Sequence, residues 1–324
     1  MSLRYDALKI LSDGGFHAGT QLGAALGISR TAVWKHLRAL SELGLDIYAV
    51  PGKGYRLAQP VELLDAQAIT SAMADDARAL LGGIEIHPRL DSTNTYLMQQ
   101  AGSGLASGYA CLAEYQEAGR GRRGRNWVSP FGANIYLSLL WRYTLDPAQL
   151  GGLSLAVGVA MARALRAAGV DGIALKWPND VLWRDRKLAG ILLEMSGESF
   201  GASTVVVGLG INCRMSKEAG THITQPWTDL EKILGRHLSR NALTALLLSE
   251  VLPVLRDYQT AGLAPLLDEW QSYDAVRGKT VTLQLPNQSI TGVAAGVDRD
   301  GALLLTRGGV TQRHLAGEIS VRVA

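Results

Sequence analysis

Residues 114–127 read EYQEAGRGRRGRNW, and the seven positions 119–125 hold four arginines and three glycines. Two readings compete. Arginine-glycine tracts bind RNA, and a basic glycine-rich loop can also close over a small anionic ligand. The neighbours decide. The apolar run YACLAEYQ ends at Gln116 and the run NIYLSLLWRY begins at Asn134, so the stretch is a single insertion between two strands of a sheet. RNA-binding tracts are long, repetitive and disordered. Ligand closure is therefore the better reading, and the domain carrying the loop is built on a sheet. Gly119, Gly121 and Gly124 then let backbone approach a ligand. Arg120, Arg122, Arg123 and Arg125 supply bidentate donors for phosphate or carboxylate. Four like charges so close repel one another, which predicts a loop that stays mobile until an anion arrives.

Outward from the loop, strands are expected near IEIHPRL, YACLAEYQ, NIYLSLLWRY, IALKWP, LAGILLEM and TVVVGLGINC. Helices are expected at 94–100, 152–168, 230–235 and 241–261, with a helical connector at 64–81. This alternation is that of an α/β domain. From about residue 272 the texture changes to short alternating runs, KTVTLQL, SITGVAAGVD, ALLLTRGG, VTQRHL and EISVRV, parted by Pro286-Asn287, Asp300-Gly301 and Gly308-Gly309. That is the pattern of a small β-barrel. The expected domains are 1–63, 64–271 and 272–324.

The chain of 324 residues is 47% hydrophobic, enough for sizeable cores in more than one domain. Its charge is unevenly placed: residues 1–60 hold seven Lys/Arg against four Asp/Glu, and the remainder balances. Nucleic-acid affinity is thus sought at the N-terminus. Cys111 and Cys213 lie in apolar runs at no metal spacing, which favours free thiols over a disulfide. No signal peptide precedes Asp6, and Glu250 and Pro253 interrupt the leucine-rich segment 242–255, so the expectation is a cytoplasmic protein with no membrane partner.

In the first sixty residues Thr20 is expected to cap a short helix TQLGAALG, Gly27 to turn the chain, and Ser29 to cap a second helix ended by Gly44. DIYAV and GYRLA around Pro51-Gly52-Lys53-Gly54 read as a hairpin wing. In a winged helix-turn-helix the second helix offers Arg30, Thr31, Trp34, Lys35 and Arg38 to DNA, and the wing offers Lys53 and Arg56 to phosphates. A protein-interaction domain has the same pattern, but the coincident positive charge favours DNA.

Two further stretches carry polar groups. DSTN places Asp91, Ser92, Thr93 and Asn94 at a helix start, where ordinary capping would explain them. KWPNDVLWRDRKLAGILLEM places Lys176, Asn179, Asp180 and Lys187 around a turn and hairpin at a strand's end, where α/β sheets form sites. A solvated turn accounts for Asp185 and Arg186. It does not account for Lys187, which opens an apolar run.

GRGRRGRNWVSP, KWPND, RKLAGILLE and GLGIN, in this order behind a winged helix, resemble the family of bifunctional biotin-protein ligases that double as biotin operon repressors. The resemblance spans essentially the whole chain. It implies a central ligase domain of the class II aminoacyl-tRNA-synthetase-like α/β type and an SH3-like C-terminal β-barrel. It implies biotin and ATP as substrates with Mg2+, biotinoyl-5'-AMP as intermediate, and transfer to a lysine of the biotin carboxyl carrier protein of acetyl-CoA carboxylase. Operator DNA is the second partner, with a homodimer favoured by biotinoyl-AMP. Ser92, Thr93, Asn94 and Gln116 match biotin-contacting positions, and hydroxyls and amides suit a ureido group with one acceptor and two donors. Arg120, Gly121 and Arg122 match the carboxylate and phosphate loop. Lys187 matches a catalytic cation beside the reacting carboxylate, where it offsets charge in the transition state. Arg122 and Asp180 are assigned catalytic roles with it, and Asp180 is the candidate metal ligand. Arg125, Asn179, Gly208, Asn212 and Trp227, with Gly210, match the adenylate-binding surface, Trp227 as an indole that could stack on adenine. Residues 213–226, CRMSKEAGTHITQP, are more polar than the apolar wrapping expected there. The alternative reading is a biotin-responsive repressor with little ligase activity, which could dispense with Lys187 and Arg122. A lipoate ligase, on a related catalytic fold, explains neither the winged helix nor GRGRRGR.

Overall fold

The computed structural model describes residues 3–40, 43–196, 203–285, 288–315 and 320–323. Helices α1 (Leu3–Leu11), α2 (Gly19–Leu26) and α3 (Arg30–Leu40) lead into the antiparallel hairpin β1 (Ile47–Val50) and β2 (Gly54–Leu57). Ser29 caps α3 as expected, its Oγ accepting the Ala32 N–H at 3.2 Å. Thr20 does not cap α2: the N-cap is Ala18, whose N–H donates to Gln21 Oε1 at 3.2 Å. A glutamine at the third helical position can reach back to the cap, and Thr20 therefore falls inside the first turn. Gly27 ends α2 at φ 66°, as the turn requires. Leu8, Leu11, Leu22, Val33, Leu37, Leu40 and Leu57 form the core of this domain.

After α4 (Ala66–Ala72) and α5 (Asp75–Arg78) the chain builds a seven-stranded sheet from β3 (Gly83–His87), β4 (Tyr109–Ala113), β5 (Ile135–Tyr143), β6 (Ile173–Lys176), β7 (Asp180–Trp183), β8 (Arg186–Ser196) and β9 (Ser203–Ile211). The order is β3-β4-β5-β9-β8-β7-β6, parallel between β3 and β4 and antiparallel elsewhere. Strand β7 adds an element of its own to the expected hairpin, closed by Arg184 and Asp185 at φ 46° and 60°, the left-handed pair a two-residue hairpin demands.

The central strands are apolar on both faces because both are covered. Leu137 and Leu139 of β5 join a core with α7 (Leu153–Ala167) and α10 (Arg240–Ala261), while Leu140 packs with Leu97 of α6 (Thr93–Gln100). Period-2 alternation thus sends Ser138 to the α6 face. Residues Pro147–Ala167 are long and apolar enough to cross a membrane by composition, but eleven residues of α7 are buried inside this core.

Short helices α8 (Lys217–Gly220), α9 (Leu230–Leu234) and α11 (Leu267–Ser272) complete the central part. Strands β10 (Thr280–Gln284), β11 (Ser289–Val297), β12 (Leu303–Arg307), β13 (Val310–His314) and β14 (Ser320–Val323) form an antiparallel sheet of order β13-β12-β11-β10-β14. The Pro286-Asn287 break lies outside the described residues. Trp177, beside the expected site, donates its indole N–H to Gly301 O at 3.0 Å and fastens this sheet to the central domain.

Candidate active site

The site lies on the α6 face of the sheet. Ser92 caps α6, accepting the Thr95 N–H at 3.5 Å, and this start of the helix lies against β5 and β9. The Thr93 N–H donates to Gln116 Oε1 at 2.9 Å, and Gln116 Nε2 donates to Ser129 Oγ at 3.0 Å. Ser138 Oγ is 2.7 Å from Thr93 Oγ1 and 2.6 Å from Asn94 Oδ1. Ser138 has one proton for these two acceptors, and the Thr93 hydroxyl is also 3.2 Å from Gln116 Oε1, to which it donates, so these side chains form one network. The Asn94 amide donates to Leu192 O at 3.3 Å and Glu194 Oε2 at 3.0 Å. Gly208 makes room for this side chain, since a Cβ there would stand 2.1 Å from Asn94 Oδ1. Asn94 is therefore a strut between α6 and β8, and the buried Ser92, Thr93 and Gln116 beside it form one hydrogen-bonded group of hydroxyls and amide.

The arginine-rich stretch is a folded hairpin. Gly121 N–H donates to Arg125 O at 2.7 Å and Trp127 N–H to Gly119 O at 2.8 Å, around a short 3-10 turn at Arg122–Gly124. Two of the glycines are required by this fold: a Cβ on Gly119 would meet Trp127 O at 2.4 Å, and Gly124 takes φ 68°. Two of the arginines reach partners on the sheet side of the loop. Arg120 Nη1 lies 3.0 Å from Glu194 Oε1, and Arg122 Nη1 donates to Asn179 Oδ1 at 3.2 Å. Burial pushes the Arg122 guanidinium below its ordinary pKa, with Asp180 acting the other way.

Across the loop, Lys187 Nζ sits 2.6 Å from Asp180 Oδ1, both side chains largely buried, and 5.5 Å from the centre of the Trp127 ring. That ring lies on Gly210, where a Cβ would come within 2.5 Å of it. Asn179 is held by mutual backbone contact with Ile191, its amide donating to Ile191 O at 2.7 Å. Lys187 N–H donates to Pro226 O at 2.9 Å and Thr228 N–H to Lys187 O at 3.0 Å, which draws Trp227 alongside. Trp227 packs on Gly220, and Lys232 Nζ stands 4.1 Å from its ring centre, so one indole face already carries a cation. Asn212 secures the segment through Nδ2 to Thr228 O at 3.1 Å. Lys176 is also here, its pKa pushed below the ordinary lysine value by burial, with Asp180 opposing.

The structure thus gathers on one face the groups expected from four separated motifs. Ser138, Glu194 and Trp127 were missed. Ser138 had a signal, as the one serine within the run IYLSLLW, and so had Trp127 at the end of the arginine motif; Glu194 merely follows the apolar run LAGILL. Among the described residues no cluster of three or more His, Cys, Asp and Glu could hold a metal ion. Asp180 is a single carboxylate already paired with Lys187.

The expected DNA residues lie on the N-terminal domain. Arg30, Thr31, Lys35, Arg38 and Lys53 are exposed, as is Trp34 at 49%, with Arg38 over its ring. Arg56 differs: it is sandwiched between the Phe16 and Tyr48 rings at 4.9 and 5.6 Å, and its Nε is buried. Its cation steadies the wing's aromatic side.

Residues 86–212 match the biotin/lipoate A/B protein ligase family, residues 4–56 an HTH domain, and residues 277–322 the biotin protein ligase C terminal domain. The bifunctional ligase/repressor BirA of Escherichia coli (strain K12) is 44% identical over 98% of this chain and 96% of its own length. The protein of that name from Salmonella typhimurium is 45% identical over 98% and 97%. Among solved structures, the biotin protein ligase from Aquifex aeolicus in complex with biotin and ATP superposes with a TM-score of 0.63, covering 75% of this chain and 99% of that one at 27% identity. With an N-terminal HTH domain, a central ligase domain and a β-rich C-terminal domain in this order, the chain belongs to the family of bifunctional biotin-protein ligases and repressors.

Proposed function

We propose that this protein joins biotin to ATP, forming biotinoyl-5'-AMP, passes the biotinoyl group to a lysine of the biotin carboxyl carrier protein of acetyl-CoA carboxylase, and represses a biotin operon with the adenylate as corepressor. The observation that carries the reading is the link between a neutral group of side chains and a cationic one, joined through Asn94 and Glu194 to Arg120. Ser92, Thr93 and Gln116 offer uncharged donors and acceptors suited to a ureido ring. Arg120, Arg122 and Lys187 stand where a carboxylate and a triphosphate would meet.

In the first step a carboxylate oxygen of biotin attacks the α-phosphorus of ATP and pyrophosphate leaves. Two anions must be brought together, so the cations of Lys187 and Arg122 lower the cost of approach and offset charge at phosphorus. In the second step the carrier's neutral amine attacks the acyl carbon, AMP departs, and the amine loses its proton. Asp180, within reach of Lys187, can hold that ammonium in place or accept from the incoming amine. Magnesium would arrive as part of the substrate MgATP, held by phosphate oxygens and water, and Asp180 is the carboxylate that the chain would add. Arg125, Asn179, Gly208, Asn212 and Trp227 are assigned to the adenylate.

The finer architecture belongs to this reading too: domains at 1–63, 64–271 and 272–324, the second of the class II aminoacyl-tRNA-synthetase-like type and the third an SH3-like barrel. Dimerisation on adenylate binding and a cytoplasmic location follow from the repressor role. A pure biotin sensor is disfavoured because Lys187 and Arg122 are both present, held on the neighbouring residues Asp180 and Asn179. The deciding assay mixes the protein with labelled biotin, MgATP and a carrier domain. Labelled carrier is expected, and none when its target lysine is replaced; an unlabelled intact carrier would overturn the ligase reading.

A further inference from the structure

Glu194 is an acid on a wall of bases. A cavity of about 530 Å³ under the arginine hairpin is lined by Arg120, Arg122 and Arg123 together with Leu192 and Glu194. The Glu194 carboxylate is divided between two partners. Oε1 pairs with Arg120 Nη1 at 3.0 Å, and Oε2 accepts from Asn94 Nδ2 at 3.0 Å. The Arg120 side chain is 52% exposed and that of Glu194 20%, so the pair is solvated from the arginine side and anchored from the glutamate side. The anchor is braced: the Asn94 carbonyl is held by Ser138, its amide also donates to Leu192 O at 3.3 Å, and the side chain packs directly on the backbone of Gly208.

A fixed carboxylate holding a movable guanidinium at the mouth of a pocket for an anionic ligand acts as that ligand's rival. We propose that Glu194 is a specificity-determining counter-anion for Arg120, which the anionic end of biotin displaces on binding and which reclaims Arg120 once that charge is gone. The proposal rests on the ligase reading above. Biotin arrives as a carboxylate and leaves joined to a lysine as a neutral amide. The carboxylate charge that opens the Arg120–Glu194 pair passes at adenylation to the neighbouring α-phosphate of the mixed anhydride, and it leaves with AMP at acyl transfer. Closing the pair again withdraws Arg120 from the product. The competition weakens biotin binding, and the return of the pair favours release.

The test compares biotin with biotinamide, its neutral carboxamide, by calorimetric titration of the full chain and of Glu194→Gln. Glutamine keeps an oxygen for the Asn94 amide and removes only the charge. With the rival gone, biotin should bind roughly fivefold more tightly, the worth of a half-exposed ion pair. Biotinamide, which never needs Arg120, should change by less than about twofold. In an Arg120→Ala background, adding Glu194→Gln should no longer improve biotin binding, a readout that compares two variants lacking the same arginine. If both ligands weaken together, Glu194 is only a support for Asn94 and the proposal is overturned. Affinities unchanged for both would overturn it equally. A parent protein that binds neither compound would instead strike down the ligase reading, which separates the two failures.

Discussion

Lys187 and Asp180 face each other at 2.6 Å from adjoining strands, β8 and β7, beneath the arginine hairpin. Each neutralises the other in a largely dry setting, so the cation proposed for adenylation is held in place by its own counterion before any substrate enters. Replacing Lys187 by Ala removes the cation and leaves Asp180 without it. Adenylation in single-turnover assays is expected to fall about a hundredfold, with biotin affinity changed only several-fold. A Lys187→Ala enzyme that adenylates at the parent rate would take Lys187 out of the mechanism. Lys187→Ala/Asp180→Asn should melt at a higher temperature than Lys187→Ala alone, because it no longer buries an unpaired charge.

Arg122 donates to Asn179 Oδ1 at 3.2 Å, and under the proposed function the hairpin so held is expected to clamp the mixed anhydride. Arg122→Gly should release biotinoyl-AMP faster and label bystander lysines without regard to sequence. Asn179→Ala, which removes the acceptor for Arg122 together with the amide bond to Ile191 O, should also speed escape. Intermediate escape is followed by filter capture; formation without faster escape would make the hairpin a cover and no clamp.

Ser138 is buried and serves both Thr93 and Asn94. Ser138→Ala leaves a buried carbonyl and hydroxyl without their partner, a cost of about 1–3 kcal/mol. Biotin affinity should drop at least fivefold in the alanine variant and recover in Ser138→Thr if the added methyl is accommodated. Wild-type affinity in Ser138→Ala would show that the pocket does not depend on this network.

Arg240 and Glu114 pair at 2.8 Å with side-chain exposures of 3% and 0%. Arg240 also donates to Glu62 O and to Asn134 O, and Leu64 N–H donates to Glu114 Oε1 at 2.6 Å. Arg240→Met strands the Glu114 charge and should destabilise the chain by about 3–5 kcal/mol in urea unfolding. Glu114→Gln/Arg240→Met, which buries no net charge, should recover much of that loss. A single variant as stable as the parent would contradict the view that this pair fastens the linker to the central domain.

The repressor half of the proposal predicts that operator binding follows ligand state. A helix-turn-helix with a modest cationic excess binds weakly alone, and two copies on a palindrome gain effective concentration. If the adenylate orders the arginine hairpin and the stretch before Trp227, part of the ordering cost is met before association. Operator affinity and sedimentation should both rise from no ligand to biotin to biotin with MgATP, and fall when unbiotinylated carrier is added. Indifference to all four conditions would leave the ligase standing and remove the repressor.

Much of the architecture was legible because its signals are local. Ser29 and Gly27 mark α3 and the turn before it, and alternation marks the strands around the hairpin. Thr20 misled because capping by Gln21 from the third helical position leaves no stronger trace than a threonine would. The positions of Lys187, Asp180, Arg122 and Thr93 along the chain pointed to a site, but their mutual geometry did not. Glu194 and the true service of Gly119, Gly208 and Gly210 depend on what crosses over them from distant segments, and spacing along one strand carries no record of that. Arg56 shows the same limit: its charge is visible in sequence, and its burial between Phe16 and Tyr48 is not.

On the two segments that flank the hairpin, neighbouring residues face different domains. Gln116 and Ser129 hydrogen-bond at the floor of the ligand pocket, while Tyr115 and Phe131 pack into the core formed by the N-terminal helices and wing. Val61 of the linker lies against Gly132. The two activities thus share a party wall. A fragment cut at residue 64 to yield a free-standing ligase would strip Phe131 and Tyr115 of their cover and expose a greasy scar at the hinge of its own substrate loop. A gene fusion or truncation that preserves catalysis must bring a replacement apolar surface with it, so the regulator is less a passenger on the enzyme than one of its foundations.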